Sequence, residues 1–99
     1  MQNLEIRKQA LDDLKDAIAW YESQKDNLGF EFMYEFNQVI SVIRFKPTLV
    51  QKRYQKICLI HFHRFPYSIY YILEKEKIIV MAVFHQKRNP KIAMKRLKK

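Results

Sequence analysis

The chain has 99 residues, of which 48% are apolar and 29% charged, so we expect one folded domain over residues 1–99 and exclude a disordered chain. The single cysteine, Cys58, excludes an internal disulfide, and no apolar run is long enough for a signal peptide or a membrane span. We therefore expect a cytoplasmic protein with no membrane contact, no metal and no small-molecule cofactor. The net charge of +9 comes from residues 50–99, which carry 13 Lys/Arg against two Asp/Glu, and such a field attracts nucleic acid or an acidic protein.

The first half of the chain has the pattern of a strand followed by two helices. Leu4 and Ile6 lie two residues apart and predict a short opening strand. Apolar residues at three- and four-residue steps then predict a helix from about Lys8 to Lys25. A second apolar stripe predicts another helix, which Pro47 should end. Because the turn between the two helices is short, they should be antiparallel neighbours.

The second half changes to runs of β-branched and aromatic residues, which predict three antiparallel strands. These strands should span Ile57 to His63, Tyr67 to Glu74 and Ile78 to Phe84. A short basic helix can start at Pro90, and we expect the cations that follow, Arg96 among them, to lie in a mobile tail. The predicted fold class is therefore α+β, with a short N-terminal strand, an antiparallel helical hairpin, a three-stranded antiparallel sheet and a short C-terminal helix.

The pairing of the strands decides which residues share a face. If Arg64 lies opposite Tyr67, six residues form an apolar face that packs on the helices: Cys58, Ile60, Phe62, Ile69, Tyr71 and Leu73. The opposite face is more polar and is the candidate working face; it carries Leu59, His61, His63, Ser68, Tyr70 and Ile72. On the last strand, strict alternation places Ala82 and Phe84 on the helix side and His85 on the working face.

Four segments in this order resemble the RelE/ParE superfamily of bacterial toxins over nearly the whole chain. Arg64–Tyr71 and Ala82–Pro90 resemble the sheet motifs of the superfamily, and Ala19–Gln24 with Leu28–Phe32 resembles the helical hairpin of its ParE-like branch. The resemblance implies a compact toxin of a type II toxin–antitoxin pair. It also implies a cognate antitoxin that neutralises the toxin.

The resemblance leaves the target open, because RelE-like members cleave mRNA in the ribosome whereas ParE-like members with an assigned target inhibit DNA gyrase. Cleavage without a metal needs an acid, a base and cations for the phosphate. Where ribonuclease members commonly carry a phosphate-binding arginine, this chain has Ser68, which carries no charge. We favour a toxin that binds a target protein such as gyrase. A ribosome-dependent mRNA endonuclease is the alternative, and an inactive homologue that binds only antitoxin is the third possibility.

The candidate site residues follow from the same comparison. His85 matches a position where some ribonuclease members carry a histidine that acts as an acid, so it is the candidate catalytic residue. The candidates for binding a phosphate or a target protein are Arg64, Tyr70, Lys87 and Arg88. An antitoxin is expected to cover the face with His61, His63 and Ser68. His61 and His63 point to one side of a strand and could ligate a metal together with His85, but no Cys or carboxylate lies nearby, so we predict no metal.

Overall fold

The computed structural model describes residues 3–46, 52–54 and 56–97, with the backbone alone for residues 52–54. The elements in chain order are β1 (Asn3–Ile6), α1 (Lys8–Gln24), α2 (Leu28–Phe45), β2 (Lys52–Tyr54), β3 (Ile57–His61), β4 (Tyr67–Glu74), β5 (Lys77–His85) and α3 (Lys91–Leu97). This order confirms the predicted α+β class, the helical hairpin and the short C-terminal helix. Pro47, which we expected to end α2, lies outside the described residues. Among the helices described, none is long and apolar enough to cross a membrane.

The strands form one five-stranded sheet with the order β1-β5-β4-β3-β2. As predicted, β4 pairs antiparallel with both β3 and β5. The sheet is nevertheless mixed and larger than the predicted three strands, because β1 pairs in parallel with β5 and the short β2 pairs with β3. These edge pairings depend on where the helical hairpin returns the chain to the sheet, which local sequence patterns do not encode.

A tight turn brings α1 and α2 into close contact. Asn27 adopts a left-handed conformation with φ of 72°, and the Glu22 carboxylate accepts hydrogen bonds from the backbone N–H groups of Asn27 (3.0 Å) and Gly29 (2.9 Å). A Cβ at Gly29 would lie only 2.7 Å from the backbone oxygen of Ile18. The helices can therefore cross this closely only with glycine at this position.

The β3–β4 connection is wider than the predicted hairpin turn. His61 pairs with Ser68 and Cys58 with Tyr71, so the register differs by two residues from the predicted one while the two faces stay the same. Residues 62–66 form the loop, and the carboxylate of Glu35 on α2 holds it. This buried side chain accepts hydrogen bonds from the backbone N–H groups of His63 and Arg64, the latter at 3.0 Å.

A β-bulge in β5 reverses the faces of that strand partway along. Tyr70 pairs with Ala82 whereas Tyr71 pairs with Val80, which leaves Met81 as the extra residue. Ile78 and Val80 face the helices as predicted, but beyond the bulge Val83 faces them instead of Ala82 and Phe84. The prediction of strict alternation was wrong from this point. His85 pairs with Tyr67, which packs on the helix-side cluster, so His85 also lies on the helix side of the sheet.

The face that we expected to be polar and exposed is a second hydrophobic cluster, and α3 covers it. Its buried members are Ile57, Tyr70, Ile72, Ile79, Met81, Ala82, Phe84 and Ala93. Tyr70 is only 5% exposed and Ser68 only 1% exposed, so neither side chain is presented at the surface. Arg96, which we expected in a mobile tail, instead forms an ion pair that is mostly buried. Burial of the apolar residues of α3 in this second cluster thus fixes the position of that helix.

Candidate functional site

The loop at residues 62–66 and the end of β5 lie together at one end of the sheet. The backbone N–H of Gln86 donates to the Pro66 oxygen at 2.8 Å, and its side-chain amide donates to the Tyr67 oxygen at 3.2 Å. This arrangement brings four of the predicted site residues to the same end: Arg64, His85, Lys87 and Arg88. We call these four residues the basic end.

His85 is half-buried and its ring has defined neighbours. Its Nδ1 accepts a hydrogen bond from the backbone N–H of Lys87 at 3.1 Å, and its ring lies edge-on to Tyr67 with 5.3 Å between ring centroids. In the neutral ring the proton is therefore on Nε2. Burial raises the pKa of the Tyr67 phenol, Arg88 opposes that shift and Asp13 adds to it. Tyr67 is thus a neutral hydrogen-bonding group beside His85 at neutral pH.

A shallow pocket of about 280 Å³ opens between α1 and the end of β5. It is lined by Asp13, Asp16, Ala17, Trp20, Tyr67, Val83, His85 and Arg88. Trp20, on its rim, is 56% exposed. The pocket has aromatic walls, a guanidinium and carboxylates, and its volume is at the lower limit for a small-molecule site. It therefore suits one projecting side chain or base of a macromolecule.

Two guanidinium groups pack on the buried ring of Phe84. The Cζ atom of Arg88 lies 4.1 Å from the ring centroid and that of Arg96 lies 4.8 Å from it. Such contacts restrict the side chains of these arginines while keeping their charge. Arg88 is exposed at the basic end, so the contact with Phe84 limits where its charge can be presented.

Arg96 and Asp13 form a mostly buried ion pair behind the basic end, which no sequence pattern predicted. Nη1 and Nη2 of Arg96 lie 2.6 and 3.1 Å from the two carboxylate oxygens, and Nη1 also donates to the Met81 oxygen at 3.0 Å. Asp13 further accepts a hydrogen bond from the backbone N–H of Val83 at 3.1 Å. The pair therefore connects α1 and α3 to β5 beside its bulge and sets the position of the strand end that carries His85.

Arg64 belongs to the same end of the sheet but is connected to α2. Its guanidinium forms an ion pair with Glu31 and lies 5.5 Å from the Phe65 ring centroid. Glu31 and Glu35 are one helical turn apart, so one side of α2 holds both the side chain of Arg64 and the backbone of its loop.

Of the three residues predicted to contact an antitoxin, two are exposed and one is buried. His61 and His63 are exposed and line a second pocket, of about 290 Å³, between α2 and β3, which we call the α2–β3 groove; its other lining residues are Glu35, Gln38, Val39, Val42 and Ile60. Ser68 is buried and its hydroxyl hydrogen-bonds to Nδ1 of His61. His85 lies on the other side of the sheet from His61, and within the described residues no group of three His, Cys, Asp or Glu side chains could hold a metal ion.

Comparisons with known proteins agree with this architecture. Residues 4–90 match the family model described as the ParE toxin of the type II toxin-antitoxin system parDE. No curated protein matches the sequence significantly. The fold is similar to a chain from the chromosomal ParDE toxin-antitoxin system of P. aeruginosa, with a TM-score of 0.75 and 12% identity over 86% of this chain and 96% of that one. It is also similar to a copper-bound mutant toxin from Helicobacter pylori, with a TM-score of 0.61 and 16% identity over 86% of this chain and 94% of that one. At these identities the structural similarity concerns the fold alone.

Proposed function

Because this chain belongs to the ParE toxin family of type II toxin-antitoxin systems, we propose that it inhibits a target protein such as DNA gyrase and that a cognate antitoxin neutralises it. The observation that carries the proposal is the family match over residues 4–90, combined with a basic end whose cations lie beside a pocket that suits a protein side chain. The family gives the toxin class. The burial of Ser68 and Tyr70 on the sheet supports a protein over RNA as the target.

The basic end has the properties of a surface that binds an acidic protein. Phe84 restricts Arg88, Lys87 is exposed next to it, and Trp20 and Tyr67 add aromatic surface at the same pocket. Arginine and large aromatic residues are enriched where proteins bind one another, and a restricted arginine loses little entropy on binding. Carboxylates of the target would pair with Lys87 and Arg88.

The sheet face argues against phosphate binding at the position that the resemblance indicates. Ser68 stands where ribonuclease members commonly carry an arginine, and its side chain is buried and hydrogen-bonded to His61. Tyr70, two residues on, is packed in the second hydrophobic cluster together with residues of α3. Tyr70 could not stack on a base unless α3 moved, and the buried Ser68 hydroxyl carries no charge and already hydrogen-bonds to His61. Both observations support the target-protein hypothesis over the nuclease.

The antitoxin is proposed to bind across the α2–β3 groove. The groove is lined by the apolar side chains of Val39, Val42 and Ile60 and by the exposed His61 and His63. An extended or helical segment with apolar anchors fits such a groove, and carboxylates on the same segment would face the basic half of the chain. Association should therefore slow as salt is added, because the charge attraction that speeds encounter is screened.

One observation favours the nuclease as a second candidate. His85 is held through Nδ1, so Nε2 can exchange a proton with a substrate, and Arg88 lines the same pocket as a cation for a phosphate. This arrangement supplies one acid–base group and one cation. A metal-independent ribonuclease needs a second proton-transfer group as well.

Two assays on purified protein separate the candidates: DNA supercoiling by gyrase, and mRNA cleavage in a translation extract. We expect the wild-type protein to inhibit supercoiling. Arg88→Glu should weaken the inhibition by about tenfold or more, because it reverses one charge of a pair with the target. Lys15→Glu, at an exposed position on α1, should leave the inhibition unchanged. If the wild-type protein cleaves mRNA and the His85→Ala variant does not, the proposal is overturned in favour of the nuclease. If supercoiling proceeds normally and the mRNA stays intact, the proposal is overturned in favour of an inactive homologue.

A further inference from the structure

Charge is divided between the two sides of the sheet. Residues 8–45, which form α1, α2 and their connection, carry seven Asp/Glu against four Lys/Arg. Residues 85–97, which end β5 and form α3, carry five Lys/Arg and no Asp/Glu. The helical hairpin packs on one side of the sheet and α3 on the other, so positive charge is concentrated on the α3 side.

The helix α3 directs two lysines away from the sheet. Ala93 is buried in the second hydrophobic cluster, whereas Lys91 and Lys95 are exposed. At 3.6 residues per turn the two lysines lie within about 40° of each other, nearly opposite Ala93 and about 6 Å apart along the helix axis. Within the part of the chain that the structure describes, neither lysine forms an ion pair, so both ammonium groups can bind a partner.

Arg88 adds a third cation next to α3. Its guanidinium lies over the ring of Phe84, a member of the cluster that α3 covers, and the contact restricts the side chain without removing its charge. Arg96 adds no free charge because Asp13 pairs with it. We call three exposed residues the α3 basic face: Arg88, Lys91 and Lys95.

Carboxylates on the same side of the sheet are paired or lie at its far end. Glu5 and Glu74 point to the α3 side, because their strand neighbours pack on the helix-side cluster. Glu5 pairs with Lys77 and Glu74 with Lys56, each at 3.2 Å. Glu76 lies in the β4–β5 turn, at the opposite end of the sheet from the basic end. The field of the α3 basic face is therefore not cancelled locally.

The composition of this face suits phosphate groups better than a folded protein or a single strand. Lysine is depleted in protein interfaces, and every large apolar side chain that the described structure exposes lies on α1 or α2. Single strands bind by stacking their bases on exposed aromatic rings, whereas Tyr70 and Phe84 are buried. Point charges without apolar surface are sufficient for a duplex, since most contacts with duplex DNA go to its phosphates and sugars.

We propose that the α3 basic face binds the phosphate backbone of duplex DNA independently of its sequence. The duplex carries one negative charge per about 1.7 Å of its axis, so cations about 6 Å apart meet phosphates in any register. The family match ends at residue 90, so Lys91 and Lys95 lie beyond the part of the chain that it covers. Binding would also raise the concentration of the chain near a target that acts on DNA. That consequence, unlike the binding itself, rests on the proposed function.

Fluorescence anisotropy of a labelled duplex of about 20 base pairs, titrated with the purified chain between about 50 and 200 mM salt, tests the proposal. The expected Kd is in the range of about 1–100 µM that is typical of non-specific binding, and three phosphate contacts predict a slope of about −3 for log affinity against log salt. The double variant Lys91→Ala/Lys95→Ala should bind at least about tenfold more weakly at about 50 mM salt, with a slope smaller by about 2. Arg88 stays unchanged because it also belongs to the basic end.

Two further double variants separate this face from net charge and from misfolding. Lys15→Ala/Lys25→Ala removes the same charge from exposed positions on the helical hairpin and should bind as the wild type does. Lys91→Arg/Lys95→Arg keeps the charge and should retain the affinity and the slope.

Four results would overturn the proposal: no binding of the wild type at about 50 mM salt, equal losses in the two alanine variants, tighter binding of an RNA of the same length, or displacement of the duplex by polyglutamate at equal charge. The last result would indicate an acidic protein as the partner. Gyrase is absent from these measurements, so they can fail while supercoiling is still inhibited, and they can succeed while it is not.

Discussion

Replacing Asp13 by alanine is expected to destabilise the fold by about 3–5 kcal/mol, because it breaks a buried ion pair and leaves the other charge behind. The side chains of Asp13 and Arg96 are 10% and 13% exposed, so little solvent screening applies. Asp13→Ala would remove both hydrogen bonds from Arg96 and the one from the Val83 N–H, and the guanidinium would keep only the Met81 oxygen and the Phe84 ring. Urea unfolding followed by far-UV circular dichroism measures the loss.

Asp12→Ala is the matched control, one residue away on the same helix. Asp12 pairs with Lys8 at 3.0 Å, but the two side chains are 54% and 86% exposed, so its removal should cost no more than about 0.5 kcal/mol. A thermodynamic cycle with Arg96→Met should show a coupling of about 1.5–3 kcal/mol, because Asp13→Ala costs less once no buried guanidinium remains. Equal effects of Asp12→Ala and Asp13→Ala, or purely additive effects in the cycle, would refute this account of the pair.

Four further substitutions test other parts of the structure by urea unfolding, one of them as a function of pH. Glu35→Ala should lower the free energy of unfolding by about 2–4 kcal/mol, because it leaves the His63 and Arg64 N–H groups unpaired. Glu31→Ala removes an exposed ion pair and should lower it by less than about 1 kcal/mol. A larger loss for Glu31→Ala than for Glu35→Ala would contradict the role of Glu35. Gly29→Ala should destabilise by about 1–3 kcal/mol through contact with the backbone of α1; the usual gain of about 1 kcal/mol for Gly to Ala in a helix would contradict it. Burial raises the pKa of Tyr71 above its ordinary value of 10.0, and Cys58 adds to the shift. The neutral phenol therefore contributes its full stabilisation of the fold below pH 10.0, and this contribution is lost as the pH rises further. Tyr71→Phe should flatten this alkaline loss, and an unchanged slope between about pH 9 and pH 11 would show that Tyr71 does not cause it.

The sequence predicted the elements that have a strong period. Apolar spacing located both helices, and alternation in β3 and β4 assigned Cys58, Ile69 and Tyr71 to the helix side. These assignments held although the register was wrong by two residues, since a shift of two keeps every side chain on its face.

The features that the sequence did not reveal depend on contacts between distant segments. The bulge at Met81 changes the faces of β5 without any local signal. Nothing in the sequence around Asp13 indicates that it pairs with Arg96, because the two residues are 83 positions apart. Tyr70 was expected at the surface because the sequence does not indicate that α3 packs on that face of the sheet. In the structure the apolar residues of α3 cover Tyr70. In the site, the cluster of His85, Lys87 and Arg88 follows directly from their adjacency, whereas the nearness of Trp20 and Asp13 requires the fold.

The most direct test of the proposed activity is the supercoiling of DNA by gyrase in the presence of the purified chain, its Arg88→Glu variant and its Lys15→Glu variant. Our account predicts that the wild type and Lys15→Glu inhibit supercoiling equally, and that Arg88→Glu requires at least about tenfold more protein for the same inhibition. Supercoiling that proceeds normally with all three proteins, while the wild type cleaves mRNA in a translation extract and His85→Ala does not, would contradict it.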